Sequence, residues 1–377
     1  MCRGGRYEYW YGHADKSLTD RYSKMAQDIE ARKKYAAEVG LGFEIPKEGS
    51  MNTVELEQTL EKIFKGDDRR IVPLLLGAPG VGKTSIVGQA AQKAGLSLMT
   101  LALPTCEAVD LRGIPQIVDG QTRWASPMPR EGRGVLLLDE LSSAAPDVQV
   151  AAHHLVWAEV GSDMSLPLGW HIVLTGNRSV DKTFYRAVSG PLRNRLCILP
   201  IDAHASQWAE WAMNNQIDHS IIGFLRWRPE LLTAKEIPND GAFPSPRSWH
   251  RCTEILNLGV PASVELEMIV GTIGEGAAVE FSAYLRTVRE LPSIQTIINR
   301  PFETEVPKSP SLLYAIVSNL SQYSREKKKS IMDYVSRMPA EFGLLYIRDI
   351  RDHMDINTPD IRNWIKKHKN LFDSDNL

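Results

Sequence analysis

Between Arg70 and Ile201 the chain alternates two patterns of apolar and polar positions. Short apolar runs predict β-strands at Pro73–Leu76, Leu96–Leu103, Gly134–Leu138, His171–Thr175 and Leu196–Ile201. Stretches with apolar residues three or four positions apart predict helices at Asn52–Phe64, Thr84–Lys93 and Pro146–Val160. A strand that is apolar at every position is buried on both faces, and strands separated by helices pair in parallel, so an α/β domain with a parallel sheet is expected. Pro73 lacks an N–H for a central ladder and can only open its strand. Beyond Asp202 the strand pattern stops. Helices separated by Pro-containing loops are predicted at Ser206–Asn214, Ile217–Trp227, Arg247–Leu258, Ser263–Thr287, Leu312–Ser324, Ser330–Arg337 and Thr358–Lys367. A further amphipathic pattern, Thr19 to Val39, stops at Gly40 and Gly42. The expected domains are 1–50, a helical segment; 51–202, the α/β domain; 203–300, a helical lid; and 301–377, a helical extension.

Composition narrows this picture. A chain of 377 residues suggests about two to three domains. A formal charge of -2 argues against a strongly basic nucleic-acid coat and against an acidic disordered tail. The longest apolar runs fall far short of the roughly 20 residues that a membrane helix needs, and residues 1–30 show no apolar core of the signal-peptide kind. No membrane partner is expected, and the expected compartment is the cytoplasm. Cys2, Cys106, Cys197 and Cys252 form no CxxC pair and read as structural thiols.

The chemistry concentrates after the first strand. Gly77-Ala78-Pro79-Gly80-Val81-Gly82-Lys83-Thr84 fits GxxxxGK[ST], between a strand and a helix as that motif requires. Its backbone N–H groups and the positive end of the following helix, which opens with Thr84 and Ser85, suit phosphate oxygens. Lys83 would reach the β- and γ-phosphates, and Thr84 would hold Mg²⁺. The strand Gly134–Leu138 runs into Asp139 and Glu140, which would coordinate the metal and polarise the attacking water, respectively. Asn177 leaves a neighbouring strand and can bridge the γ-phosphate and that water. Arg193, Arg195 and Arg247 supply guanidinium groups suited to a transferring phosphoryl group. His153-His154 occupies adjacent helical positions, which face apart and make a metal pair improbable. Trp208 and Trp211, three apart on one helix, read as packing residues.

In order and spacing these elements resemble the AAA+ ATPases, and the flanking segments resemble the MoxR-like branch, over residues 52–290. The resemblance implies a P-loop AAA+ domain followed by an all-α lid, with ATP and Mg²⁺ as cofactors. It implies that Asn177 is sensor 1, that Arg195 rather than Arg193 is the finger inserted into a neighbour's site, and that Arg247 in Ser245-Pro246-Arg247 is sensor 2. The family's usual Asp before the finger is Asn194 here. Residues 115–124 read as a hairpin with Asp119-Gly120 as its two-residue turn, and resemble the helix-2 insert of this branch. Gly161–Gly169 resembles the branch's second loop, and both would face the pore of a ring. Members of the branch commonly act with a von Willebrand A domain protein encoded separately.

Tyr11-Gly12-His13, followed by Tyr22, resembles the last catalytic stretch of tyrosine recombinases (phage-type integrases) over residues 6–46. The family's catalytic arginine and lysine belong upstream of such a stretch, so Tyr22 is not expected to cleave a strand alone. The leading expectation is an Mg²⁺-dependent ATPase that forms a ring, expected as a hexamer, and remodels a partner protein. The alternative is a DNA-transaction motor or loader of mobile-element origin, against which the near-neutral charge weighs.

Overall fold

The computed structural model describes residues 51, 53–66, 70–157, 166–181, 185–323, 328–351 and 358–368. The helix expected at Thr19–Val39, the recombinase-like segment and most of the Gly161–Gly169 loop lie outside them.

Five parallel strands form the central sheet: β1 (Pro73–Leu76), β2 (Ser97–Ala102), β5 (Gly134–Asp139), β6 (Trp170–Gly176) and β7 (Cys197–Pro200), in the order β2-β5-β6-β1-β7. In the three central strands, β5, β6 and β1, alternate residues enter different cores, while the edge strands β2 and β7 are largely exposed. Leu75, Val135, Leu137 and Val173 pack with Leu56, Leu60 and Phe64 of α1 (Thr53–Lys65) and with Val87 and Ala90 of α2 (Lys83–Lys93). Leu74, Leu136, Leu138 and Leu174 face the other way, against Leu111 of α3 (Ala108–Arg112) and Val148, Ala151 and Leu155 of α4 (Pro146–Trp157). This two-sided burial is why the central strands read as unbroken apolar runs.

Register aligns the strand ends. Leu76 sits opposite Gly176 and Pro200, and Ala102 opposite Asp139, so the segments leaving β1, β5, β6 and β7 emerge along one edge. The chain leaves β1 for β2 on the far side of β5 and β6, and later returns to β7 on β1's other flank. Such a reversal opens a crevice at the carboxyl end of β1. The expected hairpin is present as β3 (Ile114–Val118) and β4 (Gln121–Ala125), antiparallel, with Val118 paired to Gln121. Asp119 and Gly120 have φ of 54° and 74°, the left-handed pair that a two-residue turn of this hand requires.

The remainder is helical. A first core joins α6 (Ala205–Asn214), α7 (His219–Trp227), α8 (Pro246–Asn257), α9 (Ala262–Ile273) and α10 (Glu275–Arg289) around Trp208, Phe224, Trp249 and Phe281. The single helix expected over Ser263–Thr287 is two helices. They part at Gly274, whose φ is 80° and where a Cβ would lie 2.6 Å from the Ala242 carbonyl oxygen. A second core joins α11 (Ile294–Asn299), α12 (Pro310–Tyr323), α13 (Lys328–Val335), α14 (Ala340–Ile350) and α15 (Pro359–Lys367) around Val317, Tyr334, Tyr346 and Trp364.

The two helical cores are locked together. Gly223 of α7 lies so close to α12 that a Cβ there would sit 2.9 Å from the Ala315 Cα. Beside it Arg226 donates to both carboxylate oxygens of Asp349 on α14, at 2.6 and 2.8 Å, and to Ser318 Oγ at 3.1 Å. Both charged side chains are buried, at 8% and 2% exposure. Asp349→Ala would leave the guanidinium buried without its carboxylate, a change that costs about 3–5 kcal/mol. A lower urea midpoint than wild type is expected, and an unchanged midpoint would show that the pair does not stabilise the fold.

Candidate nucleotide site

The loop from β1 to α2 turns through Gly80 and Gly82, with φ of 78° and 98°. Lys83 folds back under this loop. Its ammonium donates to the carbonyl oxygens of Gly77 (2.7 Å) and Ala78 (3.0 Å) and to Asn177 Oδ1 (3.1 Å). Burial pushes its pKa down to about 8, against the opposing pull of Asp139, Asp181 and Glu140, while Arg247 lowers it further. Lys83 and Asn177, which the sequence assigns to the same γ-phosphate, are in direct contact.

Thr84 and Asp139 meet as well: Thr84 Oγ1 donates to Asp139 Oδ2 at 3.0 Å. A hydroxyl beside a partly exposed carboxylate is a donor set that suits a hard divalent cation which keeps waters and phosphate oxygens as its other ligands. Among the described residues no three His, Cys, Asp or Glu side chains cluster as a metal site of their own. Mg²⁺ between Thr84 and Asp139 would neutralise charge on the phosphate oxygens. Glu140 follows with φ 60°, an uncommon left-handed conformation for a glutamate, and its side chain is exposed at the crevice edge.

The helical region after Asp202 meets the loop at the start of α8. Ser245 caps α8: its Oγ accepts from the Ser248 N–H (3.2 Å) and its own N–H donates to Ser248 Oγ (2.8 Å). Pro246 occupies the first helical position, where a missing N–H costs nothing. This rigid turn brings the Arg247 N–H to the Gly80 carbonyl oxygen at 3.2 Å. The Arg247 side chain is exposed beside the loop.

Arg195 lies elsewhere. Its guanidinium sits 4.9 Å from the ring centre of Trp157 and donates to the Pro191 carbonyl oxygen at 2.8 Å. Ser85 is exposed on α2, and Arg193 is exposed on α5 (Gly190–Arg193). Sequence reasoning missed Arg178. Directly after Asn177, it pairs with Asp181 (3.0 Å) and with Asp202 (2.6 Å), beside a cavity of about 310 Å³ that Ala78 and Val81 of the loop also line. Only the position of Arg178, next to a strand-end asparagine, could have signalled it.

The sequence profile of the ATPase family associated with various cellular activities (AAA) matches residues 73–163, the segment that holds the loop, Asp139 and Glu140. The chain carries an AAA ATPase domain. Its cofactors are ATP and Mg²⁺, and the protein is an ATPase. No curated protein matches the chain in sequence. Solved structures similar to it include RuvB from Thermotoga maritima, titled a Holliday junction branch migration motor, at 17% identity over 74% of this chain and 85% of that one, with a TM-score of 0.37. A point mutant of the same RuvB gives 16% identity over 73% and 83%, with a TM-score of 0.38. NtrX from Brucella abortus gives 15% over 88% and 75%, with a TM-score of 0.34. Likenesses of this size carry no argument about what the AAA domain here acts on.

Gly80 offers a direct check on the AAA site. A Cβ there would stand 2.7 Å from Ser245 Oγ, at a φ that side chains rarely adopt. Gly80→Ala is expected to push loop and lid apart and weaken ATP binding by about tenfold, or about 1.4 kcal/mol. Titration with a fluorescent ATP analogue checks this, and wild-type affinity would contradict the seat described.

Proposed function

We propose that this protein is a ring-forming, MoxR-like AAA+ ATPase that uses hydrolysis to remodel or activate a partner protein. The observation that carries the reading is the division of labour among the charged and polar groups. Lys83, Thr84, Asp139 and Asn177 converge on one loop, and Arg195 is held on Trp157 and Pro191 instead. In this reading Lys83 draws the β- and γ-phosphates onto the loop as it gives up its contacts to Gly77, Ala78 and Asn177. Glu140 takes the proton of the attacking water, Asn177 orients that water, and Arg247 contacts phosphate from the lid. Arg195 then completes the site of an adjacent subunit, which makes an isolated subunit nearly inactive.

Two features favour a protein as the partner. The net charge of -2 offers no overall electrostatic drive towards a phosphate backbone. The hairpin insert exposes Ile114 and Ile117, the latter at 82%, which suits contact with apolar side chains. A von Willebrand A domain protein is the partner class that the MoxR-like resemblance suggests. DNA-stimulated hydrolysis that falls steeply with salt would favour the DNA-motor reading instead.

Glu140→Gln is expected to lower the rate of phosphate release about 10²–10⁴-fold while ATP still binds. Arg195→Ala is expected to lower it about 10³-fold or more. Mixing the two variants should restore part of the rate, because intact fingers from one then meet intact sites of the other. Full activity of Arg195→Ala, or equal turnover per subunit in monomers and oligomers, would sink the ring.

A further inference from the structure

Thr175 and Gly176 end strand β6 and Asn177 follows it, and each ties a different part of the AAA site to the strand. Register places Leu138 opposite Leu174, so Asp139 and Thr175 are the next neighbours across the β5–β6 ladder. Thr175 is fully buried. Its hydroxyl donates to Asp139 Oδ1 and accepts the Glu140 N–H at 3.0 Å. One residue on, the Gly176 carbonyl oxygen accepts the N–H of Gly77, the first residue of the phosphate loop, at 3.3 Å. The Asn177 N–H then donates to Ser142 Oγ at 2.8 Å, and Ser142 belongs to the short turn that follows Glu140. Ser142 is also buried, and its carbonyl oxygen accepts the Arg186 N–H at 2.6 Å.

The two hydroxyls form a reciprocal clasp. Thr175, from β6, holds the backbone at Glu140, and Ser142, from the turn after β5, holds the backbone at Asn177. Glu140 sits in a left-handed conformation that a glutamate seldom adopts, so something must hold it there: its N–H donates to Thr175 Oγ1, and its carbonyl oxygen accepts the Ser143 N–H at 2.9 Å within the turn that carries Ser142. Asp139 is constrained from both sides, with Thr84 on Oδ2 and Thr175 on Oδ1. Both clasp residues are buried, at 0% and 1% exposure, and the Thr175 hydroxyl is already used as donor and as acceptor, so the two act through Asp139, Glu140 and Asn177 rather than on the nucleotide.

We propose that Thr175 and Ser142 are positioning residues for ATP hydrolysis: their reciprocal hydrogen bonds set the separation and aim of Glu140 and Asn177 about the attacking water. The inference rests on the reading of Glu140 as base and Asn177 as orienting group. Removing either hydroxyl slackens one side of the clasp and leaves the nucleotide contacts of Lys83 and the loop in place. The loss therefore falls on turnover rather than on binding.

The test measures steady-state ATP hydrolysis and Mg²⁺-free ATP binding for the full chain with Thr175→Val, Thr175→Ser, Ser142→Ala and Glu140→Gln. Thr175→Val keeps the volume and loses the hydroxyl. It is expected to lower kcat by about 10–100-fold, the usual effect of removing a partner that orients a site group, with KM and the binding constant nearly unchanged. Thr175→Ser, which keeps the oxygen, is expected to recover most of kcat. Ser142→Ala is expected to act in the same direction as Thr175→Val, and it decides the matter if Thr175→Val does not fold. Wild-type kcat in both hydroxyl-deleted variants, a loss that appears in KM alone, or equal losses in Thr175→Val and Thr175→Ser would overturn the inference. The site reading itself fails only if Glu140→Gln hydrolyses ATP at the wild-type rate.

Discussion

An ammonium group withdrawn from water must be met by oxygen atoms, and the phosphate site is organised around that requirement. Lys83 is 8% exposed, and burial alone pushes its pKa well below the usual lysine range. Its three acceptors come from two places, the loop backbone at Gly77 and Ala78 and the end of β6 at Asn177. The loop can take this shape only when β6 lies beside β1, which is the pairing the sheet order provides. Phosphate oxygens offer the ammonium stronger partners than neutral carbonyls, so ligand binding exchanges one set of oxygens for another in a site already arranged around the charge.

The same sheet edge carries Asp139, Glu140 and Asn177. Parallel strands of matched register end together, and side chains that leave them are held by neighbours from the next strand. Asp139 is gripped by Thr84 from α2 and by Thr175 from β6, so the carboxylate is oriented before a cation arrives. Preorganisation of this kind removes the reorganisation that a mobile carboxylate would undergo during the reaction. The capped turn at Ser245 adds the lid to this arrangement without a flexible joint at the contact.

The lid is in turn bound to the helices that follow it. The Arg226–Asp349 pair is buried and bidentate, and Gly223 lets α7 and α12 approach at backbone distance. α8, which meets Gly80, thus belongs to a core that is packed and ion-paired to helices beyond residue 300. At the other end of the lid, Gln207 of α6 accepts from the Thr53 N–H (3.2 Å) and Thr53 Oγ1 (3.1 Å), which connects α6 to the start of α1.

Much of this protein was legible in the chain itself. The short apolar runs gave away the five strands, the GxxxxGK[ST] string gave away the loop after β1, and Asp119-Gly120 marked the hairpin turn, since each depends on residues adjacent in sequence. Asp139, Glu140 and Asn177 were legible for the same reason, as polar residues that end buried runs. The break at Gly274 was not, because it depends on Ala242, a loop residue far back in the chain. Nor were the Thr175–Glu140 and Ser142–Asn177 contacts, the Arg178–Asp181–Asp202 group or the Arg226–Asp349 lock. A threonine in a strand or an arginine in a helix looks ordinary until register and packing supply its partner. The chain by itself determined which segments are strands or helices and which residues can carry phosphate chemistry, because periodicity and loop geometry are local. Only the tertiary structure decided how those residues are held, because hydrogen bonds and ion pairs between distant segments exist only once the sheet and helices have packed.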